Sequence, residues 1–184
     1  MKKISLIATL FSAVLLLQNC KKTTVTAYTT STEPMIAFIN DTTWIAKAAN
    51  VKATLTYNSA AKTKVFTCTG LSNNQQINLY ATQHNVTNTT GFPLATYNVN
   101  STTDVALSYY LMQNGSFKPQ GTVAPGSGTI TVTAIDSVKK IITGTFSFAS
   151  LTNNYDNNGN IISTTVAQIS AGGFNNVPYT FTSN

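Results

Sequence analysis

The sequence predicts an all-β domain, either an antiparallel β-sandwich or a closed β-barrel, of roughly nine to eleven strands. Three observations carry this expectation. Apolar and polar residues alternate with period two through most of residues 35–184. Asn- and Gly-rich turn signals interrupt that alternation at short intervals. No window shows convincing helical periodicity.

The elements follow in order. Segments 35–39 and 43–46 flank a turn at Asn40-Asp41, and strands over 51–57, 64–70 and 76–83 come next. In 105–112, Val105, Leu107, Tyr109 and Leu111 share one face. In 129–135, Thr129, Thr131 and Thr133 alternate with Ile130, Val132 and Ala134. Segment 141–149 places Ile142, Phe146 and Phe148 together, with Gly144 between them. The carboxy-terminal run aligns Val177, Tyr179 and Phe181, whereas the apolar residues of 161–169 do not keep to one face. Thr90-Gly91, Asn114-Gly115, 125–128, Asn158-Gly159 and Gly172-Gly173 mark turns, and 115–128 is the longest loop-like stretch.

One hairpin has an internally consistent register. A turn centred on Asn73-Asn74 sets Gly70 opposite Ile77, Cys68 opposite Leu79 and Phe66 opposite Ala81. Directly opposed residues share a face, so Phe66, Cys68, Ile77, Leu79 and Ala81 form one apolar patch. A slip of one residue would scatter that patch over both faces.

Composition narrows the class. Charged residues are 9% of the chain, against roughly 25% in ordinary domains. There is no Arg. From residue 35 onward seven Lys (47, 52, 62, 64, 118, 139, 140) face four Asp (41, 104, 136, 156), a net charge of +3 spread thinly. Nucleic-acid binding needs a dense basic stripe, so no nucleic-acid partner is expected.

The amino terminus reads as an export segment. Lys2 and Lys3 form a positive region and 4–17 an apolar one, too short for a comfortable membrane span of about 20 residues. Leu17-Gln18-Asn19-Cys20 then resembles a lipobox. The expected organisation is a lipoprotein signal peptide over 1–19, a lipidated Cys20 with a Thr-rich tether over 20–34, and an all-β domain over 35–184. Residues 21–34 would span roughly 20 Å root-mean-square. With Cys20 acylated, Cys68 has no partner in the chain, so stability must come from burial and sheet hydrogen bonds.

A family resemblance rests on particular residues. Phe38, Trp44 and Ala46 match an F-x(5)-W-x-A opening. Residues 143–148 read T-G-T-F-S-F, and Gly173-Phe174 resembles a G-x-F close before a final strand. With the lipobox, these resemble a family of Bacteroidota-type envelope lipoproteins of unknown function. The resemblance covers most of residues 35–182 and implies an all-β lipoprotein domain. It carries over no catalytic residue.

Candidate chemistry is sparse. Cys68 and His84 are the only Cys/His pair of the domain, but the hairpin register separates them by roughly 17 Å and turns Cys68 into the apolar patch. The four Asp lie near turns, none close in sequence. Asn154, Asp156, Asn158 and Gly159 have calcium-loop spacing, yet Thr165 replaces the closing Glu, which favours a plain turn. No catalytic residue, metal site or cofactor is expected. Trp44 reads as a core plug, and the Thr129–Thr131–Thr133 ladder as ordinary strand composition.

Aromatic residues beside Asn and Thr suit sugar binding. Tyr80, Tyr109, Tyr110, Tyr155 and the loop residue Phe117 are available, with Tyr109, Tyr110 and Phe117 taken as the candidate ligand contacts. Tyr110 should point outward if Val105 and Leu107 point inward. Asp41-Thr42-Thr43 and Asp136-Ser137-Val138 resemble a D-S/T-x O-glycosylation motif, which marks Thr42 and Ser137. The expectation is a lipid-anchored, non-catalytic envelope protein serving as a structural or assembly accessory. The alternative is a glycan or small-ligand binding module. Partners are then the membrane through the anchor, and a glycan or another envelope protein. Lys21, Lys22, Thr23 and Thr24 lack the acidic cluster of a surface-export signal, which favours the periplasmic side of the outer membrane over the cell surface.

Overall fold

The computed structural model describes residues 32–184. The expected signal segment, Cys20 and nearly all of the expected tether lie outside the described residues. Eleven strands form: β1 (Met35–Ile39), β2 (Thr42–Ala46), β3 (Val51–Asn58), β4 (Thr63–Ser72), β5 (Gln75–Gln83), β6 (Thr96–Asn98), β7 (Val105–Gln113), β8 (Ser116–Pro119), β9 (Gly128–Asp136), β10 (Ile141–Tyr155) and β11 (Ile161–Ser183). One short 3-10 turn, Ala48–Asn50, joins β2 to β3.

Two sheets share one strand. The first runs β2-β1-β11-β10-β9-β6, and the second runs from the end of β11 through β3-β4-β5-β7-β8. The path is open at β6 and β8 and does not close into a barrel. The sandwich-like architecture therefore holds, and the barrel alternative does not. Nor is the pairing wholly antiparallel, because Tyr179–Ser183 of β11 runs parallel to Ala53–Tyr57 of β3.

Turn chemistry sets the local registers. Asn40 and Asp41 take φ of 47° and 62°, and Asn114 and Gly115 take 50° and 75°. Two successive positive φ values make a turn whose twist matches that of the flanking strands. Asn73 supplies a φ of 50° between β4 and β5. That hairpin has the expected register, with Phe66 opposite Ala81, Cys68 opposite Leu79 and Gly70 opposite Ile77. All six side-chain positions are buried.

The carboxy-terminal third departs from the expected pattern. Segments 161–169 and 177–181 belong to one 23-residue strand. Three register shifts interrupt its pairing with β10, and at two of them, the bulges at Ala171 and Asn176, φ is 47° and 48°. Each bulge adds a residue, flips the inward parity and bends the strand. Strict alternation therefore fails there, and the bend lets β11 leave the first sheet for the second. β6 and β8 were not expected. Both are short, and β8 occupies the start of the supposed long loop over 115–128.

Between the bulges, β10 and β11 exchange glycines and phenylalanines. Gly144 lies opposite Phe174, and Phe146 lies opposite Gly172. A Cβ on Gly144 would strike the Phe174 ring and the carbonyl oxygen of Thr131. A Cβ on Gly172 would fall 2.5 Å from the Phe146 ring. Each ring thus lies over the opposing backbone, where only glycine leaves room. Phe174 continues into the second sheet, its ring centroid 5.6 Å from that of Phe66. Phe66 then meets Phe92 at 5.8 Å, and Phe92 meets Tyr97 at 5.3 Å. Trp44 and Met35 close the core over Gly70.

The chain enters at the same place. Asn175 donates from its backbone to the Pro34 oxygen at 2.9 Å and from Nδ2 to the Glu33 oxygen at 3.0 Å. The last residues of the expected tether are thus fixed against β11.

Two carboxylates stabilise turns. Asp136 Oδ1 accepts from the backbones of Lys139 (2.8 Å) and Val138 (3.0 Å). Asp156 Oδ1 accepts from the backbones of Asn160 and Asn158, each at 2.8 Å. These donors favour the ionised form. The Lys139 backbone holds Asp136 below the usual carboxylate range, and the Asn160 backbone does the same for Asp156.

Two outcomes follow for stability. Gly144→Ala should destabilise the fold by about 1–3 kcal/mol, because ring and backbone must both yield; urea unfolding measures it, and an unchanged midpoint would refute the packing argument. A folded-state pKa below the unfolded one contributes stability above the unfolded value, near pH 4, and loses it as pH falls through the folded value. Stability should therefore drop in acid, and the double variant Asp136→Asn, Asp156→Asn should show a shallower drop in chemical denaturation run from neutral to acid pH.

Candidate ligand-binding face

The alternation that buries Phe66, Cys68, Ile77 and Leu79 turns Thr67, Thr69, Asn78 and Tyr80 to the outer face of the second sheet. Pairing with β7 extends the rows. Thr67, Tyr80 and Ala106 lie abreast, as do Thr69, Asn78 and Ser108. Ala106 and Ser108 are short, so they leave space beside Tyr80 and Asn78. Thr103, just before β7, adds a wall. The result is a depression of about 500 Å³, within the size range of small-molecule sites.

Its polar groups are held in place. Gln76 Nε2 donates to Asn78 Oδ1 at 2.8 Å, which leaves the Asn78 amide hydrogens directed elsewhere. Thr82 Oγ1 donates to the Tyr80 hydroxyl at 3.0 Å, and the hydroxyls of Thr54 and Thr67 share a hydrogen bond of 2.8 Å. Hydroxyls, one amide and one aromatic ring line the depression, and none of its lining residues is charged.

A histidine–aspartate pair lies beyond Tyr80, where β5 ends. His84 Nε2 lies 2.8 Å from Asp104 Oδ1, and the Thr102 hydroxyl lies 3.1 Å from Asp104 Oδ2. The hydrogen bond with His84 holds the Asp104 carboxyl below its ordinary range. The backbone fixes this arrangement, since Thr82 N–H donates to the Asp104 oxygen at 2.6 Å. Sequence spacing gives no hint of the pair, which forms only because β5 and β7 are neighbours.

The candidate contacts separate. Tyr109 is buried with Val105 and Leu107, and its hydroxyl accepts from Gln75 Nε2 at 2.9 Å. Burial pushes its phenol pKa up. Tyr109 is therefore a core residue and not a ligand contact. Tyr110 points outward and is half-buried. Phe117 is not in a loop but on the edge strand β8, directly opposite Met112. Pro119 lies opposite Tyr110. Tyr110, Met112, Phe117 and Pro119 thus share the outer face at the far end of the second sheet. Thr67, Thr69, Asn78 and Ser108 were missed as contacts, although the hairpin register already placed the first three on this face.

The remaining residues fall elsewhere. Cys68 is fully buried, and its thiol pKa is pushed up to about 12 by the loss of water, which removes thiolate chemistry. Asp136 and Asp156 are committed to their turns. Thr42, the first residue of β2, and Ser137, in the turn after β9, are both exposed. Tyr155 is exposed near the tip of the β10–β11 hairpin.

A second cleft, about 370 Å³, borders Lys64. Lys64 is buried, and burial lowers its pKa. Its ammonium donates to the Gly91 oxygen at 2.6 Å and to the Thr89 oxygen and hydroxyl at 2.7 Å and 3.1 Å. All three protons are used. Lys64 therefore pins the segment between β5 and β6 and presents no free charge.

The comparisons with known proteins give one match. A family model described as a domain of unknown function, DUF6252, matches residues 31–178. No curated protein and no solved structure matches the chain. The matched region runs from β1 into the second half of β11, and it includes the glycine–phenylalanine exchange and the outer face described above. By that match over most of its length, the chain belongs to the DUF6252 family of domains of unknown function.

Proposed function

We propose that this protein is a lipid-anchored envelope protein whose β-domain binds an uncharged glycan on the outer face of its second sheet. One observation carries the binding reading. The depression on that face presents Tyr80 beside Asn78, Thr67, Thr69 and Ser108, with no charged residue in its lining. Sugars combine apolar ring faces with hydroxyls, and they are met by an aromatic ring flanked by neutral donors and acceptors. A charged ligand would find no countercharge within the depression.

The anchor rests on Cys20 behind its apolar segment. Each buried acyl methylene contributes about 0.8 kcal/mol, so several chains hold firmly. The lack of an acidic cluster in Lys21, Lys22, Thr23 and Thr24, directly after Cys20, supports the periplasmic side of the outer membrane. A binding and non-catalytic domain is supported by a thiol sealed in the core and by the engagement of Asp136 and Asp156 in turns.

A structural or assembly role is the second reading, favoured by one feature. Beyond Leu151 and Ala167 the β10–β11 hairpin has no third strand among the described residues, and it exposes Tyr155, Ile161, Ile162 and Val166. Exposed apolar groups on a two-stranded ribbon suit a protein partner.

Two measurements test the proposal. A clickable fatty acid should label the wild type and not Cys20→Ala; equal labelling would remove the anchor. The full-length protein in detergent should be retained on neutral glycans of an array, and Tyr80→Ala should weaken retention by about tenfold or more, a loss of about 1.4 kcal/mol, with unchanged circular dichroism. Retention of none, or no loss in Tyr80→Ala, would remove the glycan reading.

A further inference from the structure

The outer face has a length as well as a chemistry. β5 and β7 are antiparallel neighbours, with Tyr80 opposite Ala106, Asn78 opposite Ser108, and Gln76 opposite Tyr110. Three outward rows therefore run in order along the strands. The first offers an aromatic ring, the second an amide and a hydroxyl, and the third an amide and a second aromatic ring. From the first row to the third is four residues, so Tyr80 and Tyr110 are separated by about 14 Å along the strands and one strand spacing across them. Asn78 and Ser108 stand between the rings and are half-buried, as are Tyr80, Tyr110 and Gln76.

The two ends differ. Beyond Tyr110, Pro119 and the facing pair Met112 and Phe117 make the face apolar. Beyond Tyr80, the face ends near Thr103, with His84 and Asp104 hydrogen-bonded to each other and neither among the residues that line the depression. The hydrogen bond from Gln76 to Asn78 links the second and third rows, so the amide groups facing the middle of the track are oriented before a ligand arrives. Such preorganisation lowers the ordering cost of binding.

We infer that this face takes a linear, uncharged oligosaccharide of about three sugar units, laid along β5 and β7, with one end on Tyr80, the middle on Asn78 and Ser108, and the other end on Tyr110. The inference rests on the glycan reading above and adds the length and direction of the ligand. A single pyranose is too short to reach both rings, and a linear trisaccharide spans them. The three rows follow one another along the strands, so an extended chain is the form that matches them.

The test is a length series. Cello-oligosaccharides and chito-oligosaccharides, each from the monosaccharide upward, are titrated calorimetrically against the full-length protein in detergent. Affinity should rise by about tenfold or more between disaccharide and trisaccharide in at least one series and level off beyond it. Tyr110→Ala should bring the trisaccharide down to the disaccharide's affinity and leave the disaccharide unchanged. Tyr110→Phe, which keeps the ring, should behave as wild type, and this guards against a loss caused by misfolding. An affinity that does not change with length, or a Tyr110→Ala variant with wild-type trisaccharide binding, overturns the inference while glycan binding on the array still stands. Failure of both series overturns it as well, and failure of the array in addition removes the parent reading.

Discussion

The exchange of glycine and phenylalanine between β10 and β11 is the constraint on which the rest of the structure depends. Gly144 and Gly172 yield their side-chain space to Phe174 and Phe146, and the two rings lock the strands in one register. Slipping the pair by one residue would set Phe174 opposite Thr143 or Thr145 instead of a glycine. Burying a phenylalanine contributes about 1.5–3 kcal/mol. The arrangement therefore supplies stability and register together. It also ties the two sheets, since Phe174 meets Phe66 of β4 and the aromatic contact continues through Phe92 to Tyr97.

The bulges at Ala171 and Asn176 bracket this exchange. They bend β11 so that its last residues join β3 in the second sheet. That single parallel pairing places β3, β4, β5 and β7 over the core and leaves their other face in water. The candidate ligand face is thus a consequence of how β11 turns. Among the described residues no disulfide holds this geometry, as Cys68 is free and buried. Packing of apolar side chains, the Lys64 contacts to Thr89 and Gly91, and sheet hydrogen bonds carry it.

The candidate site was legible in part. Alternation along β7 separates Tyr109 from Tyr110, and the burial of Val105 and Leu107 decides which is inside. The stated condition, that Val105 and Leu107 point inward, is met, so Tyr110 and not Tyr109 stays on the outer face. The same rule, applied to β4 and β5, already set Thr67, Thr69, Asn78 and Tyr80 opposite the apolar patch. Phe117 was assigned to a loop because β8 has four residues, too few for a visible period. The His84–Asp104 pair was illegible, because its members approach only through strand pairing between distant segments.

By itself the sequence determined the all-β class, the β4–β5 hairpin register and most of the strand positions. These follow from local physics: side chains alternate along a strand, and Asn and Gly accept positive φ in a tight turn. It also raised the expectation of an export segment ending at Cys20. Only the tertiary structure decided that the sheets form an open sandwich, that residues 161–183 are one bent strand, and which outward rows lie side by side to make a depression. Those features depend on pairings between residues far apart in the chain, and on bulges that reset the alternation a local reading relies on.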